Sequence, residues 1–203
     1  MDCSDPGAAV EGIKVRGVLM RLFIAINFNN NTRSQLVALR DELRGKSEHG
    51  NFSTPENLHL TLVFLGECGT GATAAVKKAI DAVRFEPFNA AIERVGRFKH
   101  SGGDIWWAGL REDKQLMALQ NEMSNSIRAA GFILETRKYS PHVTLGREVL
   151  ANTAPWKIEA FGETVYTVDL MESKHIGGKL IYMPIHTIRA SIIVTEKEQN
   201  NGR

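Results

Sequence analysis

Apolar residues recur along this chain at two spacings, near two and near 3.6 residues, so strands and helices are interspersed. Leu22 to Ile26 reads as a strand. Thr32 and Gln35 have the spacing of a capping box, and Leu36, Leu39 and Leu43 follow at i, i+3 and i+7, predicting a helix that runs to about Gly45. The run PENLHLTLVFLG over 55–66 reads as a second strand, and Val76, Ala79, Ile80 and Val83 mark a second helix. FNAAIERVGRF and IWWAGL predict two strands separated by the turn-rich KHSGGD. Leu116, Leu119, Met123 and Ile127 mark a third helix, closed by Gly131. SPHVTLGR is another strand, and TVYTVDLMES with KLIYMPIHTI predicts a hairpin across HIGG. This order, with several hairpin-like neighbours, predicts an α+β fold with largely antiparallel sheets.

Two strands carry polar residues inside apolar frames. His59-Leu60-Thr61-Leu62 and His142-Val143-Thr144-Leu145 repeat one pattern, His-x-Thr-x, 83 residues apart. Six histidines and twelve threonines in 203 residues give about 0.4 accidental His-x-Thr matches, so two in the same apolar frame are not expected by chance. Side chains at i and i+2 share a strand face, so each imidazole projects beside its hydroxyl while the apolar neighbours fill the other side. Two such strands facing one another across a groove supply two acid/base groups and two hydroxyl donors, a set suited to a phosphodiester. Its hydrolysis needs a base for water, an acid for the departing oxygen and donors for the non-bridging oxygens. Two rings with pKa values near ~6.5 can supply one neutral and one protonated partner.

Composition narrows the alternatives. With 203 residues and 43% hydrophobic content the chain fits one domain or two small lobes sharing a core. Twenty-five basic against 23 acidic residues leave a net charge of +2, far from the dense basic patch of a duplex-DNA binder. The two cysteines, Cys3 and Cys68, have neither a disulfide pattern nor a metal-ligand spacing, which points to a reducing compartment. No segment reads as a signal peptide or a membrane span, so the expected location is the cytoplasm. There is no His-Glu-x-x-His and no Gly-x-x-x-x-Gly-Lys loop, so neither a metal nor a nucleotide cofactor is expected. Because Met20 directly precedes RLFIAI, residues 1–19 are expected to be an extension outside the fold, 20–195 the bilobal domain and 196–203 a polar tail.

The paired motifs, with RLFIAI before them, FLGE after the first, Arg147 in HVTLGR and the stretch LMESKHIGGKLIYMPI, closely resemble the two-histidine (2H) phosphoesterases. The resemblance is strongest to the RNA 2′,3′-cyclic phosphodiesterases also called 2′-5′ RNA ligases, and it covers about residues 20–190. It implies two pseudo-symmetric lobes of mainly antiparallel sheet, helices packed outside, around a central active-site groove. It also implies opening of a terminal 2′,3′-cyclic phosphate on RNA to a 2′-phosphomonoester without metal, with ATP-independent 2′-5′ ligation as the reverse. His59 is then the proton donor to the leaving 3′ oxygen, His142 the proton acceptor from water, and Thr61 and Thr144 bind phosphate oxygens. Arg147 stands where the family has an arginine near nucleobase and phosphate, a surface salt bridge being the alternative. The partners implied are RNA 3′ ends or oligonucleotides bearing 2′,3′-cyclic phosphate, met by a monomer and with no membrane. An RNA-end binding module with little turnover, or a phosphodiesterase for another cyclic or 2′-linked nucleotide, fits the same motifs.

Five residues near the motifs stay open or outside the site. By alternation from His59, Phe64 points to the core. Trp106 and Trp107 are adjacent, so one faces the core and the other is a stacking surface or a structural neighbour. Arg137 and Tyr139, leading into the second motif, are left out of the site.

Overall fold

The computed structural model describes residues 19–191, so the expected extension, apart from Leu19, and the expected polar tail lie outside the described residues. The elements run β1 (Met20–Asn27), α1 (Asn30–Gly45), β2 (Ser47–Phe52), β3 (His59–Cys68), α2 (Thr70–Asp81), β4 (Phe88–Phe98), β5 (Asp104–Leu110), α3 (Lys114–Ala129), β6 (His142–Ala151), β7 (Trp156–Val165), β8 (Thr167–Ile176) and β9 (Lys179–Arg189). All strand pairings are antiparallel, in the order β7-β4-β5-β6-β3-β1-β8-β9 with β2 also on β6. The α+β architecture is therefore as expected. The two halves of the sheet meet at one backbone bridge, Leu60 with Val143, between the motif strands.

One face of the sheet and the apolar stripes of the helices make the main core. Leu22, Ile24 and Ile26 of β1, Leu60 and Leu62 of β3, Trp106 and Ala108 of β5 and Val143 and Leu145 of β6 are buried there with Leu36 and Leu43 of α1, Ile80 of α2 and Leu116 and Ile127 of α3. Each fully buried aliphatic side chain contributes about 1.5–3 kcal/mol. The opposite face carries His59, Thr61, His142 and Thr144. The helices thus back the site from behind, and the polar face is left to form the groove.

The helix ends follow local chemistry. Gly131, at φ +93°, closes α3 as predicted, with the Phe132 N–H donating to the Ile127 carbonyl (3.3 Å) and the Gly131 N–H to the Arg128 carbonyl (2.9 Å). The start of α1 corrects the sequence reading. Asn29 is the cap, its side-chain oxygen accepting from the Thr32 N–H at 2.9 Å, and Thr32 lies buried in the first turn. Two strands escaped the pattern. β2 is polar and half-exposed, paired to β6 only, and β7 ends before Tyr166, so TVYTVDLMES spans the end of one strand and most of the next. The β8–β9 hairpin turns at Gly177 and Gly178, at φ +58° and +77°, where a two-residue turn of this hand needs glycine.

Candidate active site

Register places the two motifs symmetrically. Along β1, Asn27 pairs with His59 and Ala25 with Thr61, and along β5, Gly109 pairs with His142 and Trp107 with Thr144. Just past each threonine the register slips by one residue. Ile24 pairs with Val63, leaving Leu62 unpaired, and Trp106 pairs with Gly146, leaving Leu145 unpaired. Each bulge sends two successive residues to the core side and returns the third, Phe64 in one motif and Arg147 in the other, to the histidine face.

That slip overturns the reading of Phe64 as core. Phe64 is 60% exposed and its ring meets Phe23 at 6.2 Å, while Phe23 stacks at 4.9 Å from His59. Simple alternation fails because it counts no extra residue. Arg147 lies inside β6, and its charge reaches both histidines and Tyr182. Among the described residues no carboxylate forms an ion pair with it.

The two rings differ in their settings. His142 Nδ1 is 2.7 Å from the Ser140 carbonyl. A carbonyl only accepts, so Nδ1 carries the proton and the neutral ring turns its lone pair out at Nε2. His59 Nε2 lies 3.1 Å from the Thr61 hydroxyl, and its Nδ1 is buried without a hydrogen bond of good geometry. Tyr182 of β9 packs edge-on against His59 at 5.1 Å and against Phe23 at 4.9 Å. This apolar enclosure pushes the His59 pKa down to about 4, chiefly by burial, with the charges of Arg147 and His142 adding to it and the Asn57 backbone opposing. Burial also lowers His142, with the Ser140 bond opposing and Arg137 and Arg147 adding. Burial therefore keeps both rings in the neutral form at neutral pH.

Further contacts hold the motif strands from outside. The Tyr139 hydroxyl donates to the Thr61 carbonyl at 3.0 Å, and burial raises its pKa. The Ser53 hydroxyl donates to the Thr144 carbonyl at 2.8 Å, and Arg40 of α1 holds the Ser53 carbonyl at 2.9 Å. Tyr139, omitted from the predicted site, is thus a strut between the lobes. Only its place just before the second motif pointed to it. On the other side of His142, Trp106 is fully buried while Trp107 turns to the groove, 6.1 Å from His142, beside Phe98. Asn27 donates to buried Asp169 at 2.8 Å, and Thr187 donates to the other oxygen of that carboxylate at 2.6 Å. Among the described residues, no three His, Cys, Asp or Glu side chains converge as a metal-binding group, and no helix is long and apolar enough to cross a membrane.

The sequence profile of the 2′-5′ RNA ligase superfamily matches residues 26–171. The chain is 33% identical over 151 residues to the RNA 2′,3′-cyclic phosphodiesterase of Archaeoglobus fulgidus, across 71% of this chain and 85% of that protein. It is 28% identical over 167 residues to the protein of the same name from Escherichia coli, across 81% and 93%. The crystal structure of E. coli LigT complexed with 3′-AMP superposes on 86% of this chain and all of that one, with a TM-score of 0.76 at 24% identity, and so has the same fold.

Proposed function

The chain belongs to the 2′-5′ RNA ligase superfamily, and on that premise we propose that it hydrolyses the 2′,3′-cyclic phosphate at an RNA end to a 2′-phosphomonoester by two-histidine acid/base catalysis. The observation that carries this reading is the antiparallel bridge Leu60–Val143, which sets the two His-x-Thr strands head to tail on one face.

His142 is the base: its outward Nε2 takes a proton from water, and the oxygen attacks phosphorus in line with the P–O3′ bond. As that bond breaks, His59 gives its proton to O3′. His59 acquires that proton with the substrate, because a phosphate anion beside the ring favours the charged form and offsets the burial that lowers its pKa. The Thr61 and Thr144 hydroxyls and Arg147 hold the non-bridging oxygens, where charge persists through the transition state.

Residues 20–195 are the catalytic unit in this reading, acting on RNA 3′ ends as a monomer in the cytoplasm. The buried free thiol of Cys68 and the presence of both motifs in one chain support that placement. The test is a short RNA ending in 2′,3′-cyclic phosphate, incubated in EDTA with the protein and followed by phosphorus NMR. A 2′-phosphomonoester is expected, with the rate falling on the order of 10² to 10⁴ in His59→Ala and in His142→Ala. A cyclic phosphate that binds and survives would make the groove a recognition site or assign it another phosphodiester.

A further inference from the structure

Acid and base must stand on opposite sides of one phosphorus, so the placement of the two motif strands against each other is a catalytic variable. A misplacement of about 1 Å can cost on the order of 100-fold in rate. The strands meet at one backbone bridge, Leu60 with Val143. A single bridge fixes a point of contact and leaves the angle between the strands to other groups. Because the pairing is antiparallel, Thr61 lies on one side of the bridge, beside the chain entering β6, and Thr144 lies on the other, beside the chain entering β3.

A side-chain hydroxyl acts on each side of the bridge. Tyr139, three residues before His142, donates to the Thr61 carbonyl at 3.0 Å. Ser53, six residues before His59, donates to the Thr144 carbonyl at 2.8 Å. The segment leading into each motif thus holds the threonine of the other. Both donors are themselves fixed. The Tyr139 ring packs on the main core. The Ser53 N–H donates at 2.9 Å to the carbonyl of Leu145, the residue that the bulge leaves unpaired, and the Ser53 carbonyl accepts from Arg40 at 2.9 Å. Arg40 is buried on α1, and its Nε donates to the Asp41 carboxylate at 3.0 Å. The hold on Thr144 therefore runs back to a helix on the core side.

We propose that Ser53 and Tyr139 are a reciprocal pair of positioning residues that together set the angle between the motif strands, and so the placement of His59 against His142. The two act on one variable. Losing either lets the strands pivot about Leu60–Val143, and losing the second then frees little more. The effect on rate rests on the phosphodiesterase reading above, whereas the effect on the backbone does not.

The experiment compares Ser53→Ala, Tyr139→Phe and the double variant with Asn29→Ala, which loses a helix cap behind the groove. Opening of an RNA 2′,3′-cyclic phosphate is followed for kcat and KM. Backbone hydrogen exchange is followed over 58–62 and 142–146, relative to the rest of the sheet. Each single variant should lower kcat about tenfold with KM within about twofold, and the double variant should stay within about threefold of the slower single. Exchange should rise about fivefold in both motif strands in either single variant, while Asn29→Ala leaves kcat and both strands unchanged. An unchanged kcat in either single variant, or a double variant slowed by the product of the two, about a hundredfold, overturns the pair. So does exchange that rises only in the strand whose own threonine lost its donor. If the unaltered protein leaves the cyclic phosphate intact, the phosphodiesterase reading falls and exchange alone decides: a rise in both strands upholds the pair, and a rise in one or neither overturns it.

Discussion

Filling the groove with an anion should load His59 with a proton, and the size of the effect follows from its enclosure. Against an ordinary value of 6.5, a pKa of about 4 leaves roughly one ring in a thousand protonated at pH 7. An anion between the two rings reverses the preference, so binding draws a proton from solution. Sulfate is a suitable probe because its own charge is constant over the range. If the bound ring titrates at 6.5 or above, affinity for sulfate strengthens about tenfold for each pH unit between 6.5 and 4.5, about a hundredfold in all. Affinity measured by calorimetry at several pH values, with His59→Ala as comparison, reads the slope directly. The same depression has a sign for stability. The folded state resists protonation, so stability is intact above pH 6.5 and falls by about 3 kcal/mol as pH drops toward 4, a loss that sulfate should reverse. Affinity that is flat between pH 7 and 5, or that weakens with acid, would refute the account of His59 as a ring held neutral until the phosphate arrives.

Three further outcomes are expected. Thr144→Val should lower the rate of cyclic phosphate opening about 100-fold in single-turnover assays, since one phosphate donor among several is deleted. Tyr139→Phe leaves the Thr61 carbonyl without its 3.0 Å donor and should cost about 1 kcal/mol in urea unfolding, together with a drop in kcat that a purely structural strut far from the motifs would not produce. Asn29→Ala removes the α1 cap and should also cost about 1 kcal/mol by thermal melting while kcat stays unchanged, because α1 backs the groove from the core side.

What could be read from the chain was what repeats within it. The two His-x-Thr motifs, the three apolar helix stripes and the Gly-Gly hairpin all depend on neighbours a few residues apart, and the structure places each of these elements where the sequence predicts it. What eluded the pattern depends on pairing between distant strands. Nothing in LTLVFLG announces that β1 skips Leu62, and that one skipped residue moves Phe64 from the core to the groove. Ser47–Phe52 becomes a strand only because β6 offers its edge, so its polar sequence carries no strand signal. The same holds for Trp107: adjacency required that one tryptophan leave the core, but only the glycines opposite and beside it decide which. Thr32 misled because Asn29, the true cap, stands three residues earlier with equally good chemistry.

The order of the strands in the sheet also bears on when the groove comes into being. The half that carries His142 is laid down mostly by β4 to β7, one continuous stretch of chain, whereas the half that carries His59 is completed only when β8 reaches back to β1, Arg21 against Ser173, and Tyr182 closes over the ring. During synthesis the His142 lobe can therefore fold while the His59 lobe still waits for its last two strands. A chain cut short between Leu145 and Tyr182 holds both motifs in its sequence and lacks the enclosure of the first. Such a fragment leaves the His59 ring open to water on the side that Tyr182 covers, so its proton affinity is no longer set by burial.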